Sequence, residues 1–191
     1  MGQPGMDSVS IYHERQIREL CALHALNNLF QAKGSFTKSQ LDEICKRLSP
    51  NEWINPHRSV LGLGNYDINV IMTALETKGC ETVWFDKRKD PSCIKSHDII
   101  GFILNVPTDY KLGFVTLPVK RRHWISVRKI SGKNWWNLDS KLSSPQLIGD
   151  DAKLLEYLRN QLQSNDKELF LVMKKGDAER SPSLMSGSNE T

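Results

Sequence analysis

No Cys-x-x-Cys pair and no paired histidine ligands occur in this chain of 191 residues. Its four cysteines, Cys21, Cys45, Cys80 and Cys93, stand far apart. Neither a zinc site nor a disulfide framework is indicated, and reduced thiols in a cytosolic setting are expected. No apolar run approaches the roughly 18 to 20 residues that span a bilayer. The polar N-terminus also lacks the basic and apolar regions of a signal peptide, so the protein is expected to stay inside the cell, in the cytoplasm, with nucleus and plasma membrane open. The formal charge of +4 is well short of what a nucleic-acid reader carries on one domain. Two basic clusters, Lys87-Arg88-Lys89 and Lys120-Arg121-Arg122, read as solvated loop charge, with peripheral membrane association left open. Gly62-Leu63-Gly64 has neither a preceding strand nor a Lys-Ser/Thr sequel, so it reads as a turn rather than a phosphate loop. Internal repeats are absent.

What is present is the make-up of one globular domain. The length is enough for a single substantial core and too little for two ordinary ones. The expected boundaries are a flexible tail at 1–10, a folded domain at 11–175 and a disordered tail at 176–191. Ala22, Ala25, Leu26, Leu29 and Phe30 recur at one-turn spacing and predict a helix burying one face, ending near Gln31 with Gly34 as a stop signal. Thr37 and Gln40 have capping-box spacing before Leu41, Ile44, Cys45 and Leu48, a second helix with Cys45 on its apolar stripe. Ser49 to Gly64 is a loop or short helix that can serve as a flap. Asp67 is an N-cap for a third helix carrying Ile68, Ile71, Met72 and Leu75, with Gly79 past its end. Thr82–Phe85, Ile99–Leu104 and Leu169–Met173 read as strands, and Leu112 to Pro118 as a loop or irregular strand. Leu154, Leu155, Leu158 and Leu162 form the apolar face of a last helix starting near Asp150 or Asp151. Core packing is the default for Trp53, Trp84 and Phe85, and a surface role for His97.

Cys21 falls in the first turn of the first helix. Amide N–H groups there lack intrahelical partners and the macrodipole leaves partial positive charge, so a thiolate is favoured over a thiol. Taken alone, a cysteine beside Leu and Ala reads as packing. The balance changes if the chain also supplies a base and a group to orient it. His123 heads the strand His123–Arg128, and Trp135–Asp139 returns as the other arm of a hairpin around Gly132. A three-residue loop, Ser131 to Lys133, sets Asp139 diagonally from His123 on one side of the sheet, about 7 to 8 Å apart at Cα. A four-residue loop sets the two on opposite faces. Gln16, on the segment entering the helix, can donate its amide to an oxyanion beside Cys21. The parts list is that of a papain-type cysteine hydrolase: Cys21 attacks a carbonyl, His123 moves the proton, and Asp139 orients the imidazole. His24 lies on the same helix as Cys21 and cannot readily stand across its sulfur, so a supporting role is expected. Trp124 either shields the His–Asp bond from water or fills the core.

Tyr12-His13-Glu14-Arg15-Gln16, Leu20-Cys21-Ala22-Leu23-His24-Ala25-Leu26-Asn27-Asn28, His123–Arg128, Trp136-Asn137-Leu138-Asp139-Ser140 and Gly64–Met72 together resemble the Josephin-domain cysteine proteases, a family of deubiquitinating enzymes. The likeness runs in order over about residues 11 to 175. It implies an α/β (α+β) papain-like fold with a helical part on a mainly antiparallel sheet. It also implies hydrolysis of isopeptide bonds at the ubiquitin C-terminus by Cys21, His123, Asp139 and Gln16, with no metal or cofactor. Ubiquitin and ubiquitinated proteins are the expected partners of a monomer. Asp139 follows the short members, whereas the long, ataxin-type members carry Asn. Nothing after Lys174 resembles the ubiquitin-interacting helices or glutamine tract of those long members. Two other functions compete: a weakly active or non-catalytic ubiquitin-binding module, and the same triad acting on other acyl groups.

Overall fold

The computed structural model describes residues 10–17, 19–50, 57, 65–112 and 115–180. The expected N-terminal tail, Trp53 and Gly62-Leu63-Gly64 lie outside the described residues, as does the end of the chain. Among the described residues are four α-helices and six strands: α1 (Cys21–Phe30), α2 (Lys38–Leu48), α3 (Ile68–Glu76), β1 (Cys80–Trp84), β2 (Ile99–Leu112), β3 (Val115–Ile130), β4 (Asn134–Asn137), β5 (Gln146–Gly149), α4 (Asp151–Leu162) and β6 (Glu168–Lys174). The strands make one sheet in the order β1-β6-β2-β3-β4-β5. Every neighbouring pair is antiparallel.

Strand alternation divides the core into two layers, because successive side chains leave a strand on opposite faces. Ile103, Trp124, Phe170 and Val172 face α1, α2 and α3, where they meet Leu26, Leu29, Leu41, Ile44 and Ile71. Their neighbours in sequence, Phe102, Leu104, Ile125, Val127, Leu169, Leu171 and Met173, cover the other face with Leu154 and Leu158 of α4. Local signals agree with these elements. Thr37 and Gln40 form a capping box on α2, and the side chains of Asp67 and Asp150 accept backbone N–H groups at the starts of α3 and α4. Cys45 is fully buried, as its place on the α2 stripe predicts.

Three elements differ from the sequence expectation. Helix α1 buries every residue from Cys21 to Leu29 rather than one face. The sheet covers one side of it, and the segment before Cys21 lies across another. The approach to the sheet is close at Gly101, where an added Cβ would stand 2.5 Å from Leu29 Cδ1 and 2.6 Å from the Val127 carbonyl oxygen. Second, β2 and β3 run past the expected strand ends and stay paired up to Leu112 and Val115, so the described part of 112–118 takes the irregular-strand form of the two expected alternatives. β6 accompanies β2 only as far as Asn105, and β4 reaches β3 only at Val127 to Ile130. Beyond those points the ribbon's outer edges have no strand partner among the described residues, which is where Pro107 and Pro118 are tolerated. Third, order continues past residue 175 into a short 3-10 turn at Ala178–Arg180. The Ala178 N–H donates to Glu81 Oε1 at 2.6 Å, and Ala178 is buried.

Candidate active site

Cys21 is the first residue of α1, and the preceding Leu20 provides no side-chain cap. Its thiol stands at an N-terminus whose first amides are not claimed by a capping side chain. β4 ends at Asn137, so β3 loses its neighbour on that side before it reaches His123. The chain entering α1 closes this gap. Gln16 N–H donates to the Ser140 carbonyl at 2.7 Å, and His13 Nε2 lies 3.0 Å from the Asp139 carbonyl oxygen.

The hairpin loop is the three-residue form, since Ile130 pairs with Asn134. Ser131 and Gly132 take left-handed conformations there, with φ of 54° and 66°, a geometry that Gly supplies without steric cost. The register continues one residue past β4, as Leu138 N–H donates to the Ser126 carbonyl at 2.9 Å. The chain then turns at Asp139, whose N–H donates to Asn137 Oδ1 at 3.0 Å. This aims the Asp139 carboxylate at His123, Nε2 to Oδ1 2.6 Å. Lys141 N–H donates to the same oxygen at 2.9 Å. His123 is 2 % exposed. With Nε2 engaged by Asp139, Nδ1 is the nitrogen left to face Cys21, whose nearness is among the causes that raise the imidazole's pKa.

Electrostatics follow from this row. Burial pushes the His123 pKa down, but the hydrogen bonds and negative charges of Asp139 and Cys21 outweigh it and raise it above the ordinary value. Burial pushes Asp139 up, and the His123 bond and charge together with the Lys141 N–H outweigh it in the opposite direction. The two groups therefore favour a charged pair, imidazolium beside carboxylate. Gln16 is half-buried on the entering segment. Thus Cys21, His123 and Asp139 are brought together from distant parts of the chain, and Gln16 is tethered by its backbone to the loop that carries Asp139.

A second group of residues joins His24, for which the sequence predicts a supporting role, to three polar neighbours that carry no sequence assignment. His24, Asn27, Asn28 and Gln31 follow one another at helical spacing and form a polar stripe on the buried α1. They bond to the backbone and side chains of residues 12–17. Gln31 Oε1 accepts Tyr12 N–H at 3.1 Å and its amide donates to the Tyr12 carbonyl at 3.0 Å. Asn28 Oδ1 accepts Glu14 N–H, while its amide donates to the carbonyls of Glu14 at 3.2 Å and Leu138 at 3.0 Å. Asn27 donates to both Glu14 carboxylate oxygens, and Tyr12 donates to one of them. His24 Nδ1 is 2.7 Å from Glu14 Oε2, and its Nε2 accepts Ile17 N–H at 3.2 Å. Burial pushes the Glu14 pKa up, but the bonds from His24, Tyr12 and Asn27 bring it below the ordinary value. Tyr12 is pushed up by burial and by Glu14. The available signal was the i, i+3, i+4, i+7 spacing of four polar residues inside an otherwise apolar helix.

The remaining singled-out residues fall outside this row. Trp124 packs in the core against Phe170, and its indole N–H donates to the Tyr66 carbonyl at 2.8 Å. Trp84 departs from its core default: it is 61 % exposed, whereas Phe85 is buried. Its indole donates to Glu168 at 2.9 Å, and it helps line a cavity of about 340 Å³ with Tyr66, Ile68, Arg122, Trp124 and Phe170. His97 is exposed beside Asp98. Of the basic clusters, Lys87 pairs with Glu168, Arg88 with Asp86 and Arg121 with Glu19. Among the described residues no group of three or more His, Cys, Asp or Glu is placed to hold a metal ion. No described helix is long and apolar enough to cross a membrane.

A helix headed by a cysteine, packed on an antiparallel sheet that presents histidine and aspartate to it, is the papain-like α/β arrangement. Comparison with known proteins narrows this class. The Josephin family profile matches residues 16–173. The chain is 55% identical over 164 residues to a Josephin-like protein of Drosophila melanogaster, covering 85% of this chain and 73% of that one. It is 46% identical over 166 residues to human Josephin-2, covering 87% of each. Human ataxin-3 is 33% identical over 191 aligned residues, which take in 88% of this chain and 46% of ataxin-3. The chain belongs to the Josephin family.

Proposed function

We propose that the chain is a cysteine-type ubiquitinyl hydrolase that cleaves isopeptide bonds at the ubiquitin C-terminus. The reading is supported above all by the His123–Asp139 hydrogen bond beside Cys21, the first residue of α1. Family membership supplies the substrate class, since the likeness to deubiquitinating enzymes extends across nearly the whole domain. Cys21 as thiolate adds to the isopeptide carbonyl, and the C=O π electrons become an oxyanion held by Cys21 N–H and the Gln16 amide. The imidazolium of His123 gives its proton to the lysine nitrogen as the C–N bond breaks. This leaves a thioester on Cys21 and a neutral imidazole. Water then attacks the thioester, His123 takes its proton, and the thiolate leaves. Asp139 holds the ring in the required orientation through both steps. Ubiquitin recognition is assigned to the domain itself.

A ubiquitin probe with a C-terminal electrophile, together with turnover of ubiquitin conjugates, tests this reading. The expected result is labelling of the wild type, none of Cys21→Ala, and no turnover by His123→Ala although it still binds ubiquitin. Labelling that persists in Cys21→Ala removes the assignment. Ubiquitin binding by a wild type that neither labels nor turns over would identify a binding module instead. Turnover of other acyl substrates in preference to ubiquitin conjugates would move the activity elsewhere.

A further inference from the structure

His24 is one helical turn from Cys21, yet both its ring nitrogens are committed away from the sulfur. Nε2 accepts the Ile17 N–H at 3.2 Å, and Nδ1 meets Glu14 Oε2 at 2.7 Å. A nitrogen that accepts a backbone N–H carries no proton of its own, so Nδ1 holds the ring proton and donates it to Glu14. The ring is nearly buried, and Asn27 and Tyr12 hold the far side of Glu14. Ile17 directly follows Gln16, whose own N–H is fixed to the Ser140 carbonyl. The peptides on the two sides of Gln16 are therefore both held, the preceding one to the loop bearing Asp139 and the following one to the helix bearing Cys21.

We infer that His24, in its Nδ1–H tautomer, is a positioning residue that sets the Gln16 amide against Cys21 by holding the Ile17 N–H. The inference rests on the proposed role of Gln16 as oxyanion donor. Removing an oxyanion donor outright lowers kcat by about 10²–10³-fold, and loosening its anchor takes a part of that.

Three variants separate the roles of the ring. His24→Gln can accept Ile17 N–H with its amide oxygen and donate to Glu14 with its nitrogen. His24→Asn matches the nearer ring nitrogen, keeps the Glu14 contact and is too short to reach Ile17. His24→Ala does neither. Turnover of a ubiquitin isopeptide substrate is expected to fall on the order of 10-fold or more in kcat for the Asn and Ala variants, with KM changed less than kcat, and to be largely restored in the Gln variant. Alkylation of Cys21 by iodoacetamide provides the contrast, because displacement at an sp³ carbon forms no oxyanion and needs only the thiolate that His123 supports. Its rate should stay within about twofold of wild type in all three variants. Alkylation that falls in step with turnover would make His24 a general packing residue, and wild-type turnover in His24→Asn would remove the role altogether. Wild type that is inert toward the isopeptide substrate would instead sink the hydrolase reading, a different result from either. Should the Asn and Ala variants fail to fold, ¹⁵N spectra of the wild-type imidazole decide: Nδ1 protonated and Nε2 bare is expected, and the opposite tautomer overturns the inference.

Discussion

On the α4 side of the sheet, Leu154 and Leu158 meet Phe102, Leu104, Leu171 and Met173 through hydrocarbon alone. On the other side the same sheet receives α1, which buries His24, Asn27 and Asn28 along with its leucines. Apolar contacts are non-directional, so the α4 layer contributes stability and tolerates small shifts. A hydrogen-bonded stripe has one register. It fixes residues 12–17 against α1, and through Leu138 it fixes the loop holding Asp139. Both layers bury apolar side chains, and the α1 layer adds a hydrogen-bonded register to them.

The largest expected effects test that division directly. Leu158→Ala removes a fully buried side chain and should cost about 2–5 kcal/mol in denaturant unfolding, while the folded fraction keeps its kcat. Asn28→Leu keeps an apolar volume in place but orphans Glu14 N–H and the carbonyls of Glu14 and Leu138. Each buried orphan costs about 1–3 kcal/mol, and here kcat should fall as well, because the entering segment and the Asp139 loop lose their shared anchor. Equal kcat in the two variants would erase the distinction between the layers.

Within the polar layer, Asp139 offers a finer cut. His123 is raised above its ordinary 6.5, so in the interval above 6.5 the native state holds more protons than the unfolded state and stability falls as pH rises. Its contribution is complete below that value and is lost as pH rises through the folded pKa. Asp139 is lowered below its ordinary 3.8, so its contribution is complete above 3.8 and lost as pH falls through the folded pKa. The pair stabilises most between the two. Both Asp139→Asn and Asp139→Ala should lower the His123 pKa, read from its ring proton shifts, and weaken the alkaline fall in stability. Turnover should suffer less in Asp139→Asn, whose amide oxygen still accepts from the imidazole. Identical losses would show that charge, rather than orientation, is what Asp139 supplies.

The contact between the layers can be broken at Gly101. A methyl group there meets the backbone oxygen of Val127 as well as Leu29 Cδ1, and a backbone atom cannot swing aside. Gly101→Ala should cost about 1–3 kcal/mol through overpacking and should push α1 off the sheet, so activity falls together with melting temperature. A normal melting temperature with normal activity would mean that the close approach is slack.

Much of this was legible in the sequence because the relevant signals are local. The capping box at Thr37 and Gln40, the N-cap at Asp67, the helix start near Asp150, the alternation of β3 and the continuous apolar run of β6 each depend on a few neighbouring residues. The His123–Asp139 pair was legible for the same reason, since a three-residue turn at Ser131–Lys133 sets their register. Burial all round α1 was not legible. It depends on the sheet and on residues 12–17, contacts that helical periodicity does not record, and so Asn27 and Asn28 were passed over beside Leu26 and Leu29. The length of the β2–β3 ribbon was not legible either, because its pairing past Asn105 depends on two strands meeting and not on a pattern within one of them. Trp84 was assigned to the core by residue type, yet its place on β1, the outermost strand of the sheet, leaves it exposed.

The smallest effect compares how the two layers start their helices. α4 begins with Asp150, whose carboxylate accepts the Lys153 N–H at 3.0 Å, whereas α1 begins after Leu20, which caps nothing. A helix whose only task is to pack gains from closing its own first turn. Under the proposed mechanism the first residue of α1 adds to a carbonyl, and open amides there meet the charge that develops. Asp150→Ala should therefore cost about 0.5–2 kcal/mol of stability with kcat unchanged, and Asp150→Asn, which still caps, should cost less in a thermal melt. If kcat fell with Asp150→Ala, the α4 layer would be coupled to the catalytic row after all.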